Sequence, residues 1–295
     1  MPELPEVETV VRQLRPQIYG KALLEVELLD PKLRRSVPEV ALVRGRVDDV
    51  YRSGKQIVIA FAHSRKPNKD LLLIHLRMTG RLIWSERNKA KRALARHYYR
   101  QSPTETGKDL QHLRARLHFA EGDLLFFDVR RFGTVELADH RTHQPLGLEP
   151  LSDHFTVSLL RELLSKRKQP MKSWLMRQDL LVGIGNIYAS EILFHAGISP
   201  LRRADRLNNQ EIPKLYRAIR QILERAIRHC GTTFSDFQDT TGETGSYQRF
   251  LKVYDRKGEG CYRCDGRIRR IVQQQRSTFY CPKCQSVRGS QAVSR

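Results

Sequence analysis

The sequence predicts an α+β protein of several domains, and three observations support this prediction. Strand-like segments follow one short helix in the first half, the apolar period becomes helical after about residue 150, and four cysteines in two close pairs lie near the C-terminus. A chain of 295 residues is long enough for two or three domains. We expect their boundaries at 1–145, 152–245 and 246–295.

The first predicted domain begins with a short amphipathic helix. Its apolar residues Val7, Val10, Val11 and Leu14 follow the i, i+3, i+4, i+7 pattern of one helix face. Short apolar segments separated by Gly, Pro and charged turns come next, and several short strands after one helix predict a β-sandwich. The predicted strands are 22–28, 46–51, 56–61, 71–76, 81–84, 114–119, 123–128 and 134–137.

The second predicted domain is helical. Its helices cover 155–166, 172–177, 187–196 and a long amphipathic segment around 212–226. A glycine-bearing turn, Gly183 to Asn186, opens the third of these helices. Its backbone N–H groups suit a phosphate, although a Gly-x-Gly turn that serves only packing has the same sequence.

Four of the five cysteines predict a zinc finger. Cys261 and Cys264 are separated by two residues, as are Cys281 and Cys284, and this double pair is typical of a tetrahedral zinc site. Two disulfides are the alternative and require an oxidising compartment. The apolar residues between the pairs predict a β-hairpin, and four protein ligands predict one structural Zn²⁺. We expect Cys230 to be a lone buried thiol.

The charge of the chain predicts a polyanionic partner. Lys and Arg number 53 against 32 Asp and Glu, which gives a net charge of +21 and a pI near 10.2. Nucleic acid is the leading candidate, and an anionic membrane surface is the alternative. No apolar stretch approaches the ~20 residues of a membrane span, and no signal peptide is recognisable. We expect a cytoplasmic protein without a membrane partner.

Pro2 is a candidate nucleophile. If Met1 is removed, Pro2 presents a secondary α-amine, and such groups titrate at about pH 7.7–8.0, well below lysine. A useful fraction is then unprotonated at neutral pH. The alternative is that Pro2 only begins a helix.

Five segments, in order, resemble formamidopyrimidine-DNA glycosylases over nearly the whole chain. The form of residues 4–7 resembles this family more than its sister, endonuclease VIII. The five segments are 2–9 (PELPEVET), 75–80 (HLRMTG), 130–133 (RRFG), 183–191 (GIGNIYASE) and 275–281 (QRSTFYC).

The resemblance implies a fold and an activity. The fold is an N-terminal β-sandwich with its leading helix, a helix–two-turns–helix domain and a β-hairpin zinc finger. The activity is base excision repair by a monomeric, nucleoid-associated enzyme that acts on double-stranded DNA. It removes oxidised purines such as 8-oxoguanine and formamidopyrimidines and then cleaves the strand at the abasic site by β,δ-elimination.

The resemblance also assigns the catalytic residues. The Pro2 nitrogen attacks C1′ of the sugar and forms a Schiff base, and Glu3 is the acid or base that helps to open the sugar. Lys55 assists β-elimination. Arg276 is assigned to δ-elimination and phosphate contact, and its high pKa favours the phosphate role.

Other residues are implied to bind DNA. Extrusion of a base leaves a gap in the duplex, and in the family this gap is filled by residues at the positions of Met78, Arg130 and Phe132. A core methionine and phenylalanine with a surface arginine is the alternative. Further implied DNA contacts are His112, Lys172, Asn186 and Tyr188.

The sequence departs from the family pattern at two places. Val129 replaces the usual proline before Arg130, which leaves the gap-filling residues intact. A basic insertion covers roughly residues 87–108 and either contacts DNA or is a solvated loop. The loop of residues 232–247, by resemblance, closes over the oxidised base.

Two other functions remain open at the level of sequence. A non-catalytic zinc-ribbon protein that binds nucleic acid explains the charge and the cysteines but not Pro2 and Glu3. Endonuclease VIII, which acts on oxidised pyrimidines, shares nearly every catalytic residue.

Overall fold

The computed structural model describes residues 1–34, 45–63, 66–86, 111–140, 143–144, 146–232 and 245–286. The chain divides into two compact units, Met1–Pro145 with His229–Ser246, and Leu146–Arg228 with Tyr247–Arg295. We call these the sheet unit and the helical unit. The three-domain boundaries at 145, 152 and 246 stay a prediction. The basic insertion and most of the 232–247 loop lie outside the described residues.

The sheet unit contains one antiparallel sheet of eight strands in its described part, in the order β5-β7-β6-β1-β2-β3-β4-β8. β1 and β2 share only two residue pairs, so two four-stranded halves meet at this short junction. Apolar side chains of both halves form one buried core, which is the arrangement of a sandwich. The elements are α1 Leu4–Ile18, β1 Ala22–Leu28, α2 Pro31–Arg34, β2 Gly45–Ser53, β3 Gln56–His63, β4 Lys66–His75, β5 Gly80–Glu86, β6 Leu113–Phe119, β7 Gly122–Asp128 and β8 Thr134–Asp139.

The α1 helix covers this core with its apolar face. Val7, Leu14 and Ile18 are fully buried in the same cluster as the strands. Burial of each such side chain stabilises the fold by about 1.5–3 kcal/mol. The helix therefore fixes the position of the chain start, where the candidate nucleophile lies.

The helical unit is built around a helix that is buried on all sides. Residues 187–194 of α5 are all buried, and α5 ends at Gly197, whose φ of 70° is left-handed and suits glycine. The other long helix, α6, is amphipathic, as the sequence predicts. The elements are α3 Val157–Leu164, α4 Met171–Leu175, α5 Asn186–Ala196, α6 Glu211–Arg228, the 3₁₀ turns Ala204–Arg206 and Tyr247–Phe250, and the strands β9 Arg269–Gln273 and β10 Arg276–Tyr280.

The predicted β-hairpin is confirmed. β9 and β10 pair in register from Arg276 with Gln273, which leaves Gln274 and Gln275 as a two-residue turn. Both turn residues have positive φ, 47° and 58°, as a type I′ turn requires. Within the ranges described, no helix has the length and apolarity to cross a membrane.

Candidate active site and DNA-binding residues

The candidate nucleophile lies at a firmly held chain start. Pro2 and Glu3 are buried directly before α1, whereas Met1 is 43% exposed. The Glu3 backbone N–H donates to Glu6 Oε2 at 2.8 Å. The other oxygen of Glu6 accepts from the Thr232 N–H at 2.7 Å and the Thr232 hydroxyl at 3.0 Å. Glu6 thus joins the start of α1 to the residues that follow α6.

Close packing at this junction requires a glycine. A Cβ on Gly231 would lie 2.6 Å from Glu6 Oε1, and the φ of Gly231 is +75°. A residue with a Cβ at this position would therefore strain the backbone and displace the Glu6 side chain. Cys230, expected to be buried, is exposed, because it lies in the turn after α6 rather than on the apolar face of that helix.

Lys55 lies in the turn between β2 and β3 and is only 8% exposed. Arg52 supports this turn by donating to the Gly54 carbonyl at 2.9 Å and to Glu8 of α1 at 3.1 Å. The turn that contains Lys55 is therefore connected to the helix that follows Pro2 and Glu3.

His75 lies beside Lys55 as a neutral imidazole. Burial, together with the charges of Arg77 and Lys55, lowers the pKa of His75 to about 3. Its Nδ1 accepts the Arg77 backbone N–H at 3.0 Å. A neutral ring keeps this acceptor throughout the physiological pH range, and the bond fixes the turn before Met78.

The structure brings together the three residues that are implied to fill the gap in DNA. An Arg130 nitrogen lies 3.1 Å from the Met78 sulfur, and its guanidinium lies 4.8 Å from the centre of the Phe132 ring. Met78 and Phe132 are 42% and 48% exposed, so neither is a core residue. His112 lies nearby, and its carbonyl accepts the Asp128 N–H at 2.9 Å.

Asn186 and Tyr188 begin α5 in the helical unit. The Gln178 side chain holds the preceding glycine turn, because it accepts from Gly183 N–H and donates to the Ile184 carbonyl, both at 2.9 Å. Asn186 Nδ2 lies 3.4 Å from the Tyr254 hydroxyl. Tyr188 is fully buried, 5.9 Å from the Tyr247 ring.

Arg276 and Lys172 differ in exposure. Arg276 is exposed at the start of β10. Lys172 of α4 is 1% exposed, and its ammonium donates to the Ser277 carbonyl at 2.6 Å and the Thr278 hydroxyl at 2.8 Å. Lys172 therefore joins α4 to the hairpin strand that contains Arg276.

Glu191 of α5 fixes the segment that leads to the zinc finger. Its buried carboxylate accepts the N–H groups of Lys252, Val253 and Tyr254 at 2.8–2.9 Å. Burial raises the pKa of Glu191 against the opposing effect of these three bonds.

The four predicted zinc ligands converge. The Sγ atoms of Cys261, Cys264, Cys281 and Cys284 all lie within 4.8 Å of one another. Four sulfurs at this spacing suit tetrahedral Zn²⁺ and leave no open position. The zinc finger that contains these four cysteines therefore holds one structural zinc.

Comparison with known proteins assigns the family. Residues 1–135 match the formamidopyrimidine-DNA glycosylase N-terminal domain, 146–238 match the H2TH domain of the same enzymes, and 258–287 match a zinc finger found in FPG and IleRS. The formamidopyrimidine-DNA glycosylase of Chloroflexus aurantiacus is 39% identical, and the match covers 97% of this chain and 98% of the relative. The chain belongs to the formamidopyrimidine-DNA glycosylase family.

Solved structures of this family agree with that assignment. The Lactococcus lactis enzyme bound to DNA with an oxidised pyrimidine is 32% identical and aligns with a TM-score of 0.80 over 97% of this chain and 100% of that chain. The same enzyme bound to abasic-site DNA aligns with a TM-score of 0.79 over 96% and 99%. The relative from Carboxydothermus hydrogenoformans is 38% identical, covering 97% of this chain and all of the relative. The chain is thus a DNA glycosylase of this type.

Sequence reasoning missed several residues that hold the family positions in place. All but Gln178 bind segments far along the chain through buried side chains, and the spacing of residues in the sequence does not reveal such bonds. Gln178 binds the glycine turn within six residues of itself. The missed residues are Glu6, Asp30, Thr79, Asp128, Gln178 and Glu191.

Proposed function

We propose that this protein excises oxidised purines from double-stranded DNA and cleaves the strand at the resulting abasic site. The observation that supports this most is found within the sheet unit. Pro2 and Glu3 are buried directly before the helix that Arg52 ties to the Lys55 turn, and the same unit presents the exposed cluster of Met78, Arg130 and Phe132. A passive DNA-binding protein has no use for the first of these features.

The reaction begins once Met1 has been removed and a lesion nucleotide has left the base stack. The Pro2 nitrogen forms a bond to C1′, and the bond from C1′ to the base breaks, so its electron pair leaves with the base, which is protonated. Glu3 assists by moving a proton at the sugar ring. Pro2 loses its own proton, the bond from C1′ to the ring oxygen O4′ breaks with that oxygen taking up the proton from Glu3, and the nitrogen lone pair then forms an iminium between Pro2 and C1′.

The iminium makes the C2′ proton acidic. Loss of that proton expels the 3′ phosphate, and loss of the C4′ proton from the conjugated iminium then expels the 5′ phosphate. Water hydrolyses the iminium and restores Pro2. Lys55 serves the first elimination. Arg276, exposed and permanently charged, binds a phosphate.

The remaining DNA contacts are also proposals. Met78, Arg130 and Phe132 fill the space left by the extruded nucleotide. His112, Asn186, Tyr188 and Lys172 are proposed to hold the strand, Tyr188 and Lys172 through the elements that they fix. A monomer in the cytoplasm, associated with the nucleoid, suits such a role.

A second candidate function is excision of oxidised pyrimidines. It is favoured by one observation, namely that the Lactococcus lactis structure contains DNA with an oxidised pyrimidine. Comparing single-turnover excision of 8-oxoguanine and thymine glycol separates the two, and we expect faster release of 8-oxoguanine.

The nucleophile is tested by trapping with borohydride on an 8-oxoguanine duplex. The processed chain should form a covalent adduct through Pro2. The matched control is the same chain with Met1 retained, as verified by mass spectrometry, and it should form none. Equal trapping of both forms would remove Pro2 from the mechanism.

A further inference from the structure

A buried carboxylate connects the two loops that hold the exposed cluster of Met78, Arg130 and Phe132. Asp128, at the end of β7, is 1% exposed. Its Oδ1 accepts from the Thr79 hydroxyl and from the Arg130 N–H at 3.2 Å, and its Oδ2 accepts from the Gly133 N–H at 2.7 Å. One side chain thus binds both ends of the Arg130–Gly133 segment and the residue that follows Met78.

The Thr79 hydroxyl makes two hydrogen bonds at once. It donates to Asp128 and accepts the Arg130 N–H at 3.1 Å. Because a hydroxyl is both a donor and an acceptor, it suits this position, and no aliphatic side chain does. Thr79 is 7% exposed, so water replaces these bonds poorly.

A second buried carboxylate holds the middle of the segment. Arg131 has a φ of +56°, a left-handed conformation that is unfavourable for a residue with a Cβ. Its guanidinium binds both oxygens of Asp30 at 2.7 Å, and Asp30 is 4% exposed. The hydrogen bonds from Arg131 lower the pKa of Asp30, so this carboxylate stays charged.

Glycines in both loops leave no room for a side chain. A Cβ on Gly133 would lie 2.5 Å from the Phe126 ring and 3.1 Å from Asp128 Oδ2, and a Cβ on Gly80 would lie 2.4 Å from the Leu76 carbonyl oxygen. A larger residue at Gly133 would therefore displace the Asp128 carboxylate, and one at Gly80 would distort the turn that holds Met78.

We propose that Thr79, Asp128 and the Asp30–Arg131 pair form a clamp that positions Met78, Arg130 and Phe132 for entry into duplex DNA. The inference rests on the proposed function, because it adds positioning residues to base extrusion. Burial of a charge costs desolvation free energy. Here the buried charges order side chains that are largely exposed and add little to the core. An ordered cluster enters the duplex without first losing conformational freedom.

The test uses a pair of substitutions that differ in one group. Thr79→Val removes the hydroxyl and keeps the shape, whereas Thr79→Ser keeps the hydroxyl. For Thr79→Val we expect about tenfold slower single-turnover excision from duplex DNA, the effect of roughly one lost hydrogen bond. Thr79→Ser should restore the wild-type rate. Excision should be slower with Asp128→Asn than with Thr79→Val, because both oxygens of Asp128 accept hydrogen bonds and the amide nitrogen of asparagine cannot accept one.

Two further measurements separate positioning from general damage. Cleavage of an abasic site in single-stranded DNA requires no extrusion from a duplex. Its rate should therefore fall less than twofold in Thr79→Val. The fluorescence of 2-aminopurine opposite an uncleavable lesion reports entry of the cluster. Its rise on binding should be smaller in Thr79→Val and normal in Thr79→Ser.

Each outcome decides the proposal. Equal duplex excision and fluorescence in Thr79→Val and wild type overturn it, and so does a parallel loss on duplex and single-stranded substrates. If Asp128→Asn does not fold, the threonine pair still gives the answer. If the wild-type chain is never trapped by borohydride, the proposed function fails, and the fluorescence comparison tests the clamp independently.

Discussion

Lys172 is a basic residue whose two possible roles are separable by experiment. Its buried ammonium donates to the Ser277 carbonyl and the Thr278 hydroxyl. Hydrogen bonds to charged groups contribute about 1.5–3 kcal/mol each, and a buried acceptor without a donor is destabilising. A residue held in this way supports the hairpin, whereas a phosphate contact would appear in the salt dependence of DNA binding.

Substitution of Lys172 by Met should therefore lower stability more than it changes DNA electrostatics. We expect the free energy of unfolding in urea to fall by about 2–4 kcal/mol, because two buried acceptors lose their donor. The slope of log Kobs against log salt should change by less than about 0.5.

Arg276→Ala is the matched control, since Arg276 is exposed on the strand that Lys172 supports. It should keep the wild-type stability and reduce the slope by about one. A full unit of slope lost in Lys172→Met, with stability unchanged, would show a direct phosphate contact.

From the sequence, candidate reactive residues could be proposed, but not the residues that hold them in place. Pro2 and Glu3 lie in the first of the five segments that resemble the family, and Lys55 is proposed through the same resemblance. The bond between Lys172 and Ser277 joins residues 105 positions apart, and that between Arg131 and Asp30 joins residues 101 apart. Such pairs depend on the folded geometry, which no local spacing contains.

The strands and helices followed from periodicity, because alternating burial and the 3.6-residue repeat are properties of local sequence. The eight predicted strands and the long helix α6 are confirmed. The short β1–β2 junction was beyond prediction, since it depends on how the two halves of the sheet pack. The exposure of Cys230 was missed for a related reason: the helix ends two residues before it.

The zinc finger should lose its structure when the metal is removed. Its core is small, with Val253, Ile268 and Phe279 packed against Phe194 of α5. Four thiolates without zinc cannot hold such a core, since a structural zinc supplies about 10–16 kcal/mol in comparable small fingers. Chelation should expose the amides of 258–286 to hydrogen exchange and leave those of β3 protected.

Cysteine substitutions provide the control for this prediction. Cys281→Ser should abolish stoichiometric zinc, while Cys230→Ser should retain it, because Cys230 is exposed and lies outside the cluster. Retention of a full equivalent of zinc by Cys281→Ser would contradict the four-cysteine site.

At the scale of the whole molecule, the net charge of +21 predicts binding to DNA that depends strongly on salt. Each neutralised phosphate adds about −0.9 to the log–log slope, so six or more contacts give about −5 or steeper and an affinity loss of roughly 10³ between 50 and 200 mM salt. Fluorescence anisotropy with an undamaged duplex measures this slope.

Deletion of residues 88–107 decides whether the basic insertion takes part in binding, since every phosphate contact that is lost with it should reduce the slope by about one. A slope shallower than about −3 in the intact chain would mean that most of the charge lies away from the phosphates, because charge that meets no phosphate releases no counterions.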